Sequence, residues 1–300
     1  MRATVFWTIL LLVIAAALLA GCTVKQAQPV QPAATPVTMP APVATPSSDT
    51  VRLADTALGT ILVDSSGKTL YYFADDIPWS NTSACGRQCA AVWPVFSAGA
   101  VRVSPPLDPS AFGTITRADG TAQTTYNGRP LYYYQADTNP GDVKGENIIN
   151  AWFVMKPDET VMIAHRENLG SYLTDSSGKT LYFFSNDAPG STPCSGACLV
   201  KWPPFRSTSI SAPSVLNASD FSIAKRSDGI TQTAFMNHLL YYYSGDAGPG
   251  DTNGQGLNGA WYVAKITGTV PSPQIPVVTM VPGTTATSDN SNSGTSTGGY

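Results

Sequence analysis

Four of the five cysteines stand in two closely spaced pairs, a pattern that could serve redox, metal or cross-linking chemistry. The pairs are Cys85/Cys89 and Cys194/Cys198, and a Trp-Pro dipeptide follows each of them. Haem attachment and thioredoxin-like chemistry both use Cys-x-x-Cys, which differs from the Cys-x-x-x-Cys spacing here. Paired cysteines in an exported chain are typical of disulfides. We therefore predict the local disulfides Cys85–Cys89 and Cys194–Cys198, with a labile disulfide or a copper site as the alternative.

Four aspartates, Asp76, Asp137, Asp187 and Asp246, each follow an aromatic triplet at the same distance, so they are candidates for carboxylate chemistry. The triplets are Tyr71-Tyr72-Phe73, Tyr132-Tyr133-Tyr134, Tyr182-Phe183-Phe184 and Tyr241-Tyr242-Tyr243. A catalytic pair of acids rarely occurs once in every repeated unit, whereas a structural carboxylate accepts hydrogen bonds from turn N–H groups or a Tyr hydroxyl. We expect the structural role, and a hydrolase is the least favoured function.

A glycine-rich loop near the end of the repeated region resembles the start of a calcium-binding loop. Asp251 and Asn253 supply oxygen atoms on alternate residues, and Gly256 holds the sixth position. Tyr262 stands where a bidentate Glu is required, and the equivalent loop earlier in the chain carries Lys144 at a ligand position. Asp251 and Asn253 remain candidate metal ligands, but a loop that leads into a strand is the favoured interpretation.

Catalysis by histidine has little support, because the two histidines, His165 and His238, occupy non-equivalent positions of a repeat. No Ser/His/Asp set and no phosphate-binding loop is visible in the sequence. We therefore expect a protein that is not an enzyme and that uses no cofactor. The net charge of −3 and the lack of a basic stripe argue against nucleic acid as a partner.

The first 22 residues indicate that the chain is exported. An apolar run from Val5 to Ala20 follows Arg2 and ends in Leu19-Ala20-Gly21-Cys22. A short apolar run with small residues before the cut is typical of a signal peptide, and the final tetrapeptide matches the lipobox, at which a cysteine is lipidated. We predict a signal peptide over residues 1–21 and a lipid on Cys22; a plain signal peptide or an uncleaved anchor is the alternative.

The region after the leader contains a repeat between two flanking segments of biased composition. Residues 22–50 are predicted to be a lipidated cysteine and a Pro-rich linker, and residues 268–300 a Ser/Thr/Gly-rich tail too polar to fold. The segment Asp64–Tyr71 recurs identically 111 residues later, and from the cysteines onward the offset is 109. We therefore predict one β module over residues 51–158 and a second over residues 159–267.

The local patterns within the repeat are typical of strands joined by hairpin turns. The turns are Asp64–Lys68, Asp119-Gly120 and Asn127-Gly128, with Met236-Asn237 in the place of the last one in the second copy. Neighbouring rings of each aromatic triplet point to opposite sides of a strand, so both sides must be covered. We predict an all-β fold of two tandem antiparallel modules, with a single propeller-like ring of four pseudo-repeats as the alternative. The rings are expected in the core rather than exposed for stacking on sugars.

The lipobox and the aromatic–aspartate units together resemble the secreted-repeat lipoprotein family, whose motif is Tyr-x-(Phe/Trp/Tyr)-x-x-Asp. The matching residues are Tyr71/Phe73/Asp76, Tyr132/Tyr134/Asp137, Tyr182/Phe184/Asp187 and Tyr241/Tyr243/Asp246. The resemblance covers residues 51–267 and includes the Cys-x-x-x-Cys and Trp-Pro segments. It implies an exported, all-β lipoprotein. Because the family is one of unknown function, the resemblance implies no activity.

These patterns favour a binding protein at the cell surface. A rigid repeated β unit on a Pro-rich stalk suits the presentation of a surface, and no nucleophile–base pair stands out. We expect a lipoprotein on the extracytoplasmic face of the cell membrane that acts as a non-catalytic binding or cell-envelope interaction module for a glycan or an envelope protein. The alternative is an extracytoplasmic redox or metal-handling protein that uses the Cys-x-x-x-Cys loops.

Overall fold

The computed structural model describes residues 49–266, which belong to one compact unit. The predicted signal peptide, Cys22, most of the linker and the tail lie outside the described residues. The regular secondary structure of the described part is mainly strand, with two short α-helices, and its several small antiparallel sheets include none that closes into a barrel. The prediction of an all-β, antiparallel fold is confirmed.

Each module contains seven strands and one α-helix in the same order. The elements of the first module are β1 (Val51–Thr56), β2 (Gly59–Asp64), β3 (Tyr71–Phe73), α1 (Arg87–Val92), β4 (Phe112–Thr116), β5 (Ala122–Tyr126), β6 (Arg129–Pro130) and β7 (Trp152–Val154). Those of the second are β8 (Val161–Arg166), β9 (Gly170–Asp175), β10 (Tyr182–Phe184), α2 (Ala197–Lys201), β11 (Phe221–Lys225), β12 (Thr231–Phe235), β13 (His238–Leu239) and β14 (Trp261–Val263). Short 3-10 helices span Pro109–Ala111, Ala218–Asp220 and Leu257–Gly259.

Three sheets repeat from one module to the next. The sheets of the first module are β1–β2, β3–β7 and β4–β5–β6, and those of the second are β8–β9, β10–β14 and β11–β12–β13. The β3–β7 and β10–β14 pairs join the early part of each module to its last strand, with Phe73 opposite Trp152 and Phe184 opposite Trp261. The two halves of each module are thereby joined.

The Asp-Ser-Ser-Gly-Lys loop reverses the chain after β2 because its aspartate binds the turn backbone. Oδ1 of Asp64 accepts hydrogen bonds from the N–H groups of Ser66 at 2.8 Å and Lys68 at 2.9 Å. Gly67 has φ of +88°, a conformation that glycine adopts without steric cost. Oδ2 of Asp64 also accepts a hydrogen bond from the hydroxyl of Tyr133 at 2.8 Å. The turn is therefore tied to the other half of its module, and the second module repeats these contacts.

The two modules share a core. One buried apolar cluster fills the first module and continues into the second through Leu173, Leu181, Phe205 and Leu240. A smaller cluster, around Trp261, lies within the second module. Because the larger cluster crosses the junction between the modules, burial of apolar surface stabilises the pair as well as each member.

Candidate functional site

Both predicted disulfides are present, and an arginine holds each cysteine loop. The bonded pairs are Cys85–Cys89 and Cys194–Cys198. In the second module, Arg226 donates to the carbonyl oxygen of Cys194 at 2.6 Å and to the side chain of Gln232 at 2.8 Å. Arg117 makes the equivalent bonds in the first module. The buried arginine thus binds the backbone of the first cysteine in each loop, whereas residues 86–88 and 195–197 between the cysteines are exposed.

Each of the four motif aspartates accepts a hydrogen bond from a tyrosine in the other half of its module. The hydroxyl–carboxylate pairs are Tyr132–Asp76 at 2.6 Å, Tyr71–Asp137 at 2.6 Å, Tyr241–Asp187 at 3.0 Å and Tyr182–Asp246 at 2.7 Å. Three of the carboxylates also accept a backbone N–H, from Ala84, Lys144 and Asn253 respectively. These contacts are the structural role expected for the motif, and they cross-link the two halves of each module.

Burial changes the acidity of these carboxylates. The pKa of Asp76 is raised to about 6, because burial disfavours the charged form more than the hydrogen bonds from Tyr132 and Ala84 favour it. Burial also raises the pKa of Asp187, whose Oδ1 has no hydrogen-bond partner among the described residues. Pro193 stands there at the position of Ala84, and proline has no N–H to donate.

The motif aromatics form two stacks of four rings. The order of the rings is Phe73, Trp152, Trp93 and Tyr134 in the first module, and Phe184, Trp261, Trp202 and Tyr243 in the second. The two central indoles lie 3.8 Å apart in the first module and 3.7 Å apart in the second, with an interplanar angle of 3° in both. The tryptophan after each cysteine loop is therefore a core residue.

The calcium-like loop uses its polar groups within the loop itself. Oδ2 of Asp251 accepts hydrogen bonds from the N–H groups of Ala247 at 2.8 Å and Gly248 at 3.0 Å. Nδ2 of Asn253 donates to the carbonyl oxygen of Gly245 at 3.3 Å. Within residues 49–266, no group of three His, Cys, Asp or Glu side chains is placed to hold a metal ion. The contacts of Asp251 and Asn253 are those of turn-forming residues.

An apolar groove opens on the surface of the second module, with a volume of about 560 Å³. We call it the open groove and define it by Phe183, Met236, His238, Leu240, Tyr262 and Lys265. Met236, in the turn between β12 and β13, is 40% exposed, and Phe183 and Tyr262 are half-buried. A mostly apolar depression of this size with a few polar groups is typical of a binding site.

The same face exists on the first module, where it is covered. The residues equivalent to the open groove are Tyr72, Asn127, Arg129, Leu131, Phe153 and Lys156. We call them the covered face; Tyr72, Arg129 and Phe153 are at most 1% exposed. The cover includes the β8–β9 hairpin of the second module.

The β8–β9 hairpin contacts the first module through backbone, polar and apolar groups. The N–H of His165 donates to the carbonyl oxygen of Ala74 at 2.9 Å, and Nδ1 of His165 lies 2.7 Å from Oδ1 of Asp75. The N–H of Ile163 points to the hydroxyl of Tyr72 at 3.5 Å, and the Ile163 side chain is 1% exposed. The covered face is thus a surface that binds a two-stranded hairpin.

A smaller polar cavity of about 240 Å³ remains beside this contact. Arg129 lies over the ring of Tyr72 at 5.3 Å and donates to the hydroxyl of Thr174 at 3.5 Å. Nε and Nη1 of Arg129 and both carboxylate oxygens of Glu159 have no partner among the described residues. Met162 lines the same cavity. A polar cavity of this size has room for water molecules that would satisfy these groups.

Three differences between the two modules were the signals in the sequence for the open groove. Met236 is an apolar residue at a left-handed turn position, with φ of +48°, where the first module has Asn127. Two more differences, Phe183 for Tyr72 and His238 for Arg129, fall on the same face. The positions at which the two modules differ therefore indicate this surface, whereas the positions at which they are identical do not.

The fold and its repeats define a class of protein, an all-β chain made of four half-module repeats. A family described as a secreted repeat of unknown function matches residues 52–97, 113–156, 164–206 and 222–265, more than half of the chain. The chain belongs to this family, which confirms the resemblance drawn from the sequence. No curated protein and no solved structure matches the chain. In the part of the chain that the structure describes, no helix has the length and apolar character of a membrane span.

Proposed function

We propose that this chain is a lipid-anchored protein of the extracytoplasmic face that acts as a non-catalytic interaction module, binding another protein of the cell envelope through the open groove. One observation carries the proposal: the covered face of the first module binds a protein hairpin, whereas no hairpin of residues 49–266 covers the same face of the second module. Membership of a family of secreted repeats supports the location. The tetrapeptide that ends in Cys22 supports the anchor.

A protein partner fits the open groove better than a glycan. Met236 gives the groove an exposed aliphatic side chain, and its aromatic members, Phe183 and Tyr262, are only half exposed. On the first module, the equivalent surface, the covered face, binds the two strands of the β8–β9 hairpin. For the redox alternative, the sequence supplies the cysteine loops; all four cysteines are disulfide-bonded, with Cys85 and Cys194 buried and Cys89 and Cys198 half-buried.

The groove can be tested by cross-linking in living cells. A photoreactive amino acid at position 236 should give a covalent adduct with a specific envelope protein, because Met236 lies in the groove wall. The same amino acid at Ile223, which is 49% exposed on β11 outside the groove, is the matched control and should give no such adduct. Equal adducts from both positions would contradict a role of the groove, and binding to purified glycans alone would contradict a protein partner.

The lipid anchor has its own test. Cells that express the chain should incorporate a labelled fatty acid into it, and Cys22→Ala should abolish the label and release the protein from the membrane fraction. Retention of the label by the Cys22→Ala variant would contradict lipidation at this residue.

A further inference from the structure

The polar cavity of about 240 Å³ beside the β8–β9 hairpin is built from both modules. The first module supplies Arg129 on β6, and the second supplies Met162 on β8 and Ser176 in the turn after β9. The segment 155–159, which joins β7 to β8, completes the wall. The cavity is therefore a feature of the junction between the modules, and we call it the junction cavity.

Arg129 leaves most of its hydrogen-bonding capacity unused, although its side chain is only 1% exposed. A guanidinium carries five N–H groups, and those of Nε and Nη1 have no acceptor among residues 49–266. Nη2 donates to the hydroxyl of Thr174 over a long distance of 3.5 Å. Buried arginines usually bind a carboxylate or a phosphate. Arg129 therefore gives the junction cavity a cation with free donors.

Glu159 is the complementary case in the same cavity. The residue is 6% exposed, and neither carboxylate oxygen has a donor within the described part of the chain. Arg129 and Glu159 thus line one cavity with opposite charges, but they do not pair with each other directly. Burial of an ionised group without a partner is costly. A bound molecule that contacts both groups would remove this cost.

The other two charged residues of the junction cavity already have partners. Nζ of Lys156 donates to the carbonyl oxygen of Ala212 at 3.0 Å, and Oδ1 of Asp158 accepts a hydrogen bond from the hydroxyl of Ser211 at 3.2 Å. Asp158 is exposed, so the cavity reaches solvent on its side. Together with Arg129 and Glu159, these residues carry two formal positive and two formal negative charges. A ligand that carries both signs matches this balance.

The acidity of Glu159 agrees with a missing cationic partner. Burial raises the pKa of this carboxyl group well above its usual range, and the nearby acids Glu146 and Asp158 act in the same direction. Arg129 and Lys156 lower the pKa without offsetting the burial. An ammonium group in the cavity would favour the ionised carboxylate, so its binding would release the proton of Glu159.

The remaining wall of the junction cavity is apolar, and its volume limits the size of a ligand. Tyr126, Met155 and Met162 line the cavity and are all buried. Pockets for drug-sized ligands have volumes of about 300–1,000 Å³, so this cavity suits a smaller molecule. The two free charged groups and the apolar wall together fit a small zwitterion with an apolar side chain.

We propose that the junction cavity binds a small apolar α-amino acid. Its carboxylate accepts hydrogen bonds from Arg129, its ammonium group donates to Glu159, and its side chain lies against Met155 and Met162. The cavity shares no residue with the open groove. The proposal therefore adds a small-molecule ligand to the protein partner proposed above and does not depend on that partner.

Isothermal titration calorimetry of the purified full-length chain tests the ligand class. Valine should bind, and isovalerate, which lacks the ammonium group, and isobutylamine, which lacks the carboxylate, should each bind at least about tenfold more weakly. Valine should also release protons, seen as a binding heat that changes with the ionisation enthalpy of the buffer. Isovalerate that binds as tightly as valine would contradict the contact with Glu159. No binding of alanine, valine or leucine at up to about 10 mM would overturn the proposal and leave the cavity to water.

Three variants separate the two charged contacts from a general effect on the fold. Glu159→Gln should weaken valine at least about tenfold and abolish the proton release, but leave the affinity for isovalerate unchanged. Arg129→Lys should weaken both compounds, because it lacks the planar set of donors. Glu167→Gln, the same change at an exposed acid of the β8–β9 turn, is the matched control and should bind like the wild type.

Circular dichroism shows whether each variant folds, and Glu159→Gln decides alone if Arg129→Lys does not. A folded Glu159→Gln variant with the valine affinity of the wild type would overturn the proposed site. So would equal losses of affinity in Glu159→Gln and Glu167→Gln, since the second residue lies outside the cavity.

Discussion

Asp76 is the most deeply buried of the four motif aspartates, at 2% exposure, and its pKa is raised to about 6. A raised pKa means that the folded state favours the protonated carboxyl group. The resulting stabilisation is complete below the unfolded pKa near 4 and is lost as the pH rises through about 6. Between pH 4 and pH 7 we therefore expect ionisation of this group to lower the free energy of unfolding by about 2 kcal/mol.

Urea unfolding at the two pH values measures this effect. Asp76→Asn cannot ionise, so its stability should fall less than that of the wild type over this interval. Asp119→Asn is the control, because Asp119 is an exposed turn residue. Identical pH dependence in the wild type and Asp76→Asn would contradict the assigned pKa.

Ile149 has φ of +50° and is 62% exposed, an unfavourable conformation for a β-branched residue. The equivalent residue of the second module is Asn258, with φ of +54°, and asparagine tolerates this region. Ile149→Asn should therefore raise the free energy of unfolding by about 1 kcal/mol. The reverse change, Asn258→Ile, should lower it by a similar amount. Chemical denaturation of both variants checks the pair, and a loss of stability in Ile149→Asn would refute the strain.

At the scale of the elements, the glycine-rich loop before β14 requires a glycine because its backbone passes directly over buried aromatic rings. A Cβ atom on Gly254 would lie 2.8 Å from the ring of Tyr182 and 2.9 Å from that of Trp202. Both rings are buried and cannot move away without disturbing the core. Gly256, the glycine that made this loop resemble a calcium site, thus lies two residues beyond one that packing requires.

Gly254→Ala should destabilise the chain by about 1–3 kcal/mol through this overpacking. Gly248→Ala, in the same loop, is the matched control, since no atom lies within 4 Å of its added Cβ. Thermal unfolding of the two variants distinguishes them. Equal midpoints of thermal unfolding for the two variants would mean that the backbone of the loop shifts freely. This result would contradict the close contact of Gly254 with the two rings.

At the scale of the whole molecule, the shared core predicts that the two modules unfold together. Ile163→Ala removes an apolar side chain from the junction between them and should cost about 2–5 kcal/mol. Leu53→Ala, the equivalent change on half-exposed β1, should cost less than half of that. Unfolding followed by tryptophan fluorescence and by calorimetry should give one transition in the wild type. Two separate transitions would show that each module is stable alone.

The fold could be predicted from the sequence because its determinants are local or repeated. Three of these determinants act within a few residues: the cysteine pairs, the Asp-Ser-Ser-Gly-Lys turns and the alternation around Tyr71. Because the chain contains two modules, each of these patterns occurs twice. The open groove could not be predicted in this way. Phe183 and Tyr72 stand in nearly identical sequence surroundings, and their different exposure depends on whether a distant hairpin packs against them.

The hairpin that covers the first module is synthesised after the module that needs it. A chain that grows at about 5–20 residues per second needs about 1–4 s to extend from Lys156 to Asp175. During that interval, Tyr72 and Phe153 have no cover, although the rest of their module is already made. A neighbouring copy can then supply its own β8–β9 hairpin, and the product would be a domain-swapped dimer. The order of the two modules along the chain thus makes the covered face the surface through which an incomplete molecule could pair with a neighbour.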